Sequence, residues 1–167
     1  MKTLKFYKIT ENARIPEFAT KDAACFDLNF TQHGNAYRVY TDNNAMYWRE
    51  FSNNALVITP GDRVMVPTGL IADIPAGFSV RLHPRSGLSL KQGIVLANQE
   101  GVIDADFVDE IMVLMTNIST NNVVINDGDR ICQGELVENI KYRIAERKTA
   151  PKQKTDRDGG FGSTGVQ

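Results

Sequence analysis

Asn98-Gln99-Glu100-Gly101-Val102-Ile103-Asp104-Ala105-Asp106-Phe107 reads as part of a β-hairpin. Gly101 permits a tight backbone bend, and Val102-Ile103 and the later run Ile111-Met112-Val113-Leu114-Met115 are strand-like. Asp104 and Asp106 lie two residues apart, so an extended backbone turns both carboxylates to one face. Two acids so placed repel unless one is hydrogen-bonded, near a cation, or holding a water for chemistry. Alone, such a pair is more often an ordinary acidic turn than a site. The rest of the chain has to decide.

Upstream, strands are expected at 55–59, 63–66, 69–74 and 77–83, separated by Pro60-Gly61-Asp62, Pro67 and Pro75-Ala76-Gly77. Downstream they are expected at 111–117, 122–126 and 130–138, with Asn126-Asp127-Gly128-Asp129 as the last turn. Leu4 to Ile9 alternates like a strand, and Pro16 ends regular structure there. Only Ser86-Gly87-Leu88-Ser89-Leu90-Lys91-Gln92 looks helical, for two turns at most. Short strands with turn signals every roughly 8–12 residues predict a sandwich or barrel and not βαβ units. The expected fold is all-β, of jelly-roll type with one short helix.

The segment from His33 to Asn54 is less regular and carries Tyr37, Tyr40, Tyr47, Trp48 and Phe51. Asp42-Asn43-Asn44 suggests a hairpin tip with an aromatic strand on either side. Such an extension either packs its rings on the domain or offers them to a partner.

A chain of 167 residues with 42% hydrophobic and 23% charged residues is expected to form one soluble domain. A net charge of −1 gives no electrostatic reason to expect a nucleic-acid or membrane partner. Neither a signal-like apolar run nor a stretch of membrane-spanning length is present in the sequence. Cys25 and Cys132 are expected to be thiols in a reducing cytoplasm, the host's if the protein is viral. From Arg147 the chain turns basic and polar, which divides it into a β domain, 1–146, and an arm expected to be mobile, 147–167. Within that arm, Gly159-Gly160-Phe161-Gly162-Ser163-Thr164-Gly165 could converge backbone N–H groups and two hydroxyls on an anion. It lacks the lysine and spacing of a Walker loop, and a flexible linker fits its composition equally well.

Two further pieces carry chemistry. Pro84-Arg85-Ser86-Gly87 ends a strand and opens the short helix, placing a guanidinium and a hydroxyl where an anion can sit. A capped helix with a surface arginine is the plainer account. Gly128-Asp129-Arg130-Ile131-Cys132-Gln133 is either a turn with Asp129 and Arg130 paired on the surface, or a route for the Gln133 amide into a site.

Together these segments resemble the trimeric deoxyuridine triphosphatase (dUTPase) family. AACFDL at 23–28, PRSGLSLKQGI at 84–94, NQEGVIDADF at 98–107 with DEIMVLMTN, GDRICQ at 128–133 and RDGGFGSTG at 157–165 look like its five motifs in register. The resemblance covers nearly the whole chain, and it implies hydrolysis of dUTP to dUMP and pyrophosphate. Asp104 would orient and deprotonate the water that attacks the α-phosphorus. Arg85, Ser86, Gly87 and Gln133 would hold the phosphates, with Ser163 and Thr164 on the arm. Arg157 or Lys154 would reach the γ-phosphate. Asn98, Gly101, Val102, Ile103 and Met112 would present the uracil edge and walls, Phe107 would stack beneath the deoxyribose, and Phe161 would close over the base. Magnesium would bridge phosphate oxygens, with Asp27 touching its waters. A homotrimer with shared sites is implied in the same way.

The sequence departs from the family pattern in places. Phe107 stands where tyrosine is usual, and Cys25 and Asp109 where glycine is usual. Arg157 lies one residue nearer Phe161 than usual, and the 33–54 segment is longer. A related activity, dCTP deamination, needs a glutamate where Leu114 stands. A non-catalytic binding module on the same scaffold is the remaining alternative.

Overall fold

The computed structural model describes residues 2–156, so Arg157, Phe161, Ser163 and Thr164 lie outside the described residues. Among those described there are thirteen strands and one helix. The strands begin with β1 (Lys5–Lys8), β2 (Phe26–Asn29), β3 (Ala36–Tyr40), β4 (Met46–Glu50) and β5 (Ala55–Ile58). β6 (Arg63–Pro67), β7 (Leu70–Asp73) and β8 (Phe78–His83) lead to α1 (Ser86–Gln92). β9 (Ile94–Leu96), β10 (Gly101–Ile103), β11 (Met112–Asn117), β12 (Val123–Asn126) and β13 (Arg130–Glu138) complete the set. The fold is all-β with one short helix, as the turn spacing predicted.

Two larger sheets enclose the core, one in the order β4-β3-β6-β11-β9 and one in the order β10-β8-β13-β2. The pairs β1-β7 and β12-β5 form two smaller sheets. All pairings are antiparallel. Alternation along β11 shows how sequence becomes packing: Val113, Met115 and Asn117 are buried while Leu114 points out. Asn117 survives inside because it is satisfied, its amide donating to Ile58 O at 2.8 Å and Asn121 O at 2.7 Å. The 33–54 segment is an integral hairpin. β3 pairs with β6, and Tyr37 is buried with its ring centroid 5.0 Å from that of Phe51.

Three local readings need correction. The strand holding Val102 and Ile103 does not pair with the 111–115 run. β10 pairs with β8 and β11 pairs with β6 and β9, so the two lie in different sheets. Gly101 does not make the bend either; the left-handed residue is Gln99, at φ 62°. Gly101 is needed for proximity, because a Cβ there would stand 3.0 Å from the Leu82 Cβ. Asp104 and Asp106 flank a tight turn, closed by Phe107 N–H donating to Asp104 O at 3.1 Å, and share no strand face.

Candidate active site

A cavity of about 390 Å³ lies where β10 and the turn after it meet β11. Asn98, Gly101, Val102, Ile103, Phe107 and Met112 all line it, so the six described residues expected at a nucleoside do converge. Met65, Leu82 and Leu96 add apolar wall from three other strands, which no local sequence signal announced. β10 is an edge strand, so its outward N–H and C=O groups are free to meet the polar rim of a flat ring. The Phe107 ring is half-exposed. Asp104 is exposed beside this cavity, in the turn, and among the described residues nothing pairs with its carboxylate.

A second cavity of about 440 Å³ gathers Asp27, Arg85, Ser86, Gly87 and Gln133. Arg85 Nε donates to Asp27 Oδ1 at 2.9 Å, and Arg130 Nη1 donates to Asp27 Oδ2 at 3.0 Å. Gln133 Nε2 donates to Pro84 O at 3.1 Å, which fixes its amide at the mouth of α1. Arg130 was not expected here. It turns from Asp129 toward Asp27, while Asp129 accepts the Asn126 N–H at 2.8 Å. Two guanidinium groups on one carboxylate leave a net positive cavity with spare N–H donors, suited to a polyphosphate. Burial first, then the charges of Glu135 and Asp27, pushes the Cys25 thiol up, so it is a neutral wall of this cavity.

The two cavities share no lining residue. Ile103 pairs with Val80 and Gly101 with Leu82, so Asp104 continues toward the Phe78 end of β8. Arg85 and Ser86 follow from the opposite end, after His83. The span from Ser79 to His83 alone is about 13 Å of extended chain. The Asp104 carboxylate and the Arg85–Asp27 cluster therefore sit toward opposite ends of one strand.

The histidines have partners that the sequence did not show. His33 Nε2 lies 2.8 Å from Glu110 Oε1, and His83 Nε2 lies 3.3 Å from Glu135 Oε1.

A family model described as dUTPase matches residues 51–165. The chain belongs to the dUTPase family. It is 34% identical to the deoxyuridine 5'-triphosphate nucleotidohydrolase of Hydrogenobaculum sp. (strain Y04AAS1), over 96% of each chain. It is 42% identical to that of Finegoldia magna over 73% of this chain and 85% of the other. Among solved structures, it is similar to a mutant dUTPase of Staphylococcus bacteriophage 80alpha with dUpNHpp. That likeness has a TM-score of 0.77 at 21% identity and covers 99% of this chain and 100% of the other. The chain is thus an enzyme of the dUTPase family with the family's β fold.

The dUTPase family match begins at residue 51, directly after the β3–β4 hairpin. The chain is also similar to a structure of the dUTPase from phage phi11 of S. aureus that shows that protein's species-specific insert, at TM-score 0.70 and 20% identity, covering 89% of this chain and 98% of the other. Another phi11 dUTPase structure, a mutant with TM-score 0.69, 20% identity and coverage of 89% and 98%, concerns the coordination of a structural Mg(II) ion. In this dUTPase family member the donor set does not fit an ion held by protein alone. Among the described residues no cluster of three or more His, Cys, Asp or Glu could ligate one, and both Asp27 oxygens are taken by arginines. Each Asp27 oxygen accepts one guanidinium hydrogen bond and keeps a second lone pair, through which it would accept from a metal-bound water.

Proposed function

We propose that the protein hydrolyses dUTP to dUMP and pyrophosphate at a site shared between copies of the chain. The observation that carries this reading is that the Asp104 turn and the Arg85–Asp27 cluster lie toward opposite ends of β8, with separate linings, so one copy does not bring them together. One half, around β10 and β11, has the size and apolar walls for a nucleoside, with an unpaired carboxylate at its edge. The other, around Asp27 and Arg85, has the charge for a phosphate chain. A second copy that brings its guanidinium end to the first copy's β10 turn would complete both.

In that assembly Asp104 takes the proton of a water aimed at the α-phosphorus. Ser86 and the Gly87 N–H lie toward the α–β bridging oxygen, where leaving-group charge develops. Arg85, Arg130 and Gln133 hold the phosphates. The backbone of β10, with Asn98, reads the uracil edge, and a ring of reversed donors and acceptors leaves buried polar groups unpaired. Phe107 packs against the deoxyribose. Phe161, Ser163, Thr164 and Arg157, on the 147–167 arm, would close over base and phosphates. Magnesium would arrive with the triphosphate. Uncovered apolar side chains after β13, at Ile140, Tyr142 and Ile144, favour packing of that segment on another copy in a homotrimer.

Leu114 occupies the place where a deaminase would need its glutamate, and it lines the nucleoside cavity. That favours hydrolysis over deamination. The test is pyrophosphate release with magnesium from dUTP, dTTP, dCTP and UTP in turn. Rapid turnover of dUTP alone is expected; ammonia from dCTP, or equal rates for dTTP, would overturn the reading.

A further inference from the structure

A third cavity, of about 280 Å³, lies under the β3–β4 hairpin and is lined by His33, Tyr37, Arg38, Trp48, Met65 and Met112 among others. Met65 and Met112 also line the nucleoside cavity, so the two spaces share a wall. Strand registers explain the adjacency. Trp48 is opposite Arg38, and Leu114 is opposite Met65. Arg38 Nη1 lies 3.7 Å from Met65 Sδ, so Trp48, Arg38, Met65 and Leu114 form one row across the outer face of the five-stranded sheet.

Arg38 is poorly served in this row. Its guanidinium carbon stands 5.2 Å from the centroid of the Trp48 ring, and among the described residues its Nη1 has only a thioether as acceptor. Its Nε is buried and has no hydrogen-bond partner among the described residues. A guanidinium N–H without an oxygen acceptor is costly, and a carboxylate fork satisfies two such donors at once. The other ionisable groups on the cavity wall are already engaged, His33 by Glu110 and the Tyr37 hydroxyl by the Val57 backbone. One unmatched positive charge among Tyr37, Trp48, Pro67 and two methionines suits a monoanion with a flat apolar body. A dianionic phosphate would be under-neutralised there, with Glu110 close behind His33.

We propose that this cavity is a second ligand site, taking a small aromatic monocarboxylate whose carboxylate bridges the Arg38 guanidinium and whose ring lies against Trp48. Drawing Arg38 off Met65 changes the wall shared with the nucleoside cavity, so an occupant alters nucleotide affinity and is altered by it in equal measure. The coupling rests on the nucleotide reading above; binding in the cavity does not.

Trp48 is the only tryptophan of the chain, so its emission reports this cavity directly. Benzoate, titrated into the full-length protein, is expected to give a saturable change in that emission, while benzamide, of the same shape but neutral, gives none. Arg38→Met is expected to weaken benzoate at least tenfold. Arg38→Lys keeps the charge without the fork and should weaken it similarly. Thermal melts of both variants, with dUTP turnover in the absence of benzoate, show that they are folded. Absence of saturation, benzamide matching benzoate, inorganic phosphate competing as well as benzoate, or unchanged binding in a folded Arg38 variant would each overturn the site. With dUTP as substrate, benzoate is expected to shift KM severalfold at constant kcat in the wild type and not in Arg38→Met. An unmoved KM beside a saturable Trp48 signal would overturn the coupling. A protein inert toward dUTP that still shows the signal would count against the proposed function alone.

Discussion

Arg85 donates through Nε to Asp27 at 2.9 Å, tying the residue before α1 to the middle of β2. The same carboxylate holds Arg130, so one acid sets the spacing of two cations. The Asp27 side chain is 17% exposed and that of Arg85 25%, which places the pair between a surface bridge and a buried one. Asp27→Asn is therefore expected to cost about 1–2 kcal/mol of stability. It should raise KM for dUTP more than it lowers kcat, measured by thermal melts and steady-state kinetics. A kcat collapse with unchanged KM would place Asp27 in the chemical step instead.

Asp104→Asn and Arg85→Ala are each expected to lower dUTP turnover, the former by about 10²–10⁴ as for other general bases. Because the two positions lie at opposite ends of β8, mixing the inactive variants after reversible dissociation should restore a fraction of activity. The double variant, mixed with itself, should restore none. Failure of the two singles to complement, under conditions where subunits exchange, would mean that the site is not shared.

Gly101→Ala adds a Cβ that must displace Leu82, a wall of the cavity proposed to take the nucleoside. The expected penalty is about 1–3 kcal/mol of stability, with weaker nucleotide binding. Calorimetry with dUMP and a thermal melt would measure both. A variant of normal affinity would show that β10 can shift without consequence for the cavity.

Tyr37 is 3% exposed, and its hydroxyl donates to Val57 O and accepts from Val57 N–H, each at 2.9 Å. Tyr37→Phe should cost about 1 kcal/mol from those lost bonds, and Tyr37→Ala roughly 3–5 kcal/mol from the cavity left in the core. Chemical denaturation would show both. Excising the whole hairpin would expose the β6 edge and remove Tyr37 and Val39 from the core. It would therefore report on folding before it reported on partners.

Burial pushes the Cys132 thiol well above its ordinary value of 9.0, and the nearby Asp27 charge pushes it further. A thiol whose pKa is raised by folding stabilises the native state fully below the unfolded value and less as pH climbs past it. Stability is expected to fall above about pH 9, and Cys132→Ala should flatten that decline in urea titrations across the alkaline range. An identical slope in the two proteins would assign the loss to other groups.

The strands were legible because alternation and turn chemistry are local: Pro75-Ala76-Gly77 and Asn126-Asp127-Gly128-Asp129 mark breaks that the structure keeps. The cavity beside β10 was legible in part, since Asn98 to Phe107 supplies much of its lining in one run. Pairing partners were not. Nothing near Val102 shows that β10 joins β8 and not β11, because the choice depends on packing against Leu82, about twenty positions earlier. Arg130 was missed for the same reason, its partner Asp27 lying 103 residues away. The acid pair 104 and 106 was misjudged because a spacing of two aligns side chains only while the backbone stays extended, and here it turns.

β8 has a further consequence for the proposed assembly. A copy that lends its acid to one reaction centre and its cations to another is never the sole owner of either. Damage at either tip of that strand would then be felt in a neighbour's output, and a defective gene product could poison healthy ones in the same cell. The six-residue length of β8 becomes a fixed ruler between two centres, more tolerant of substitution along its half-buried side than of insertion.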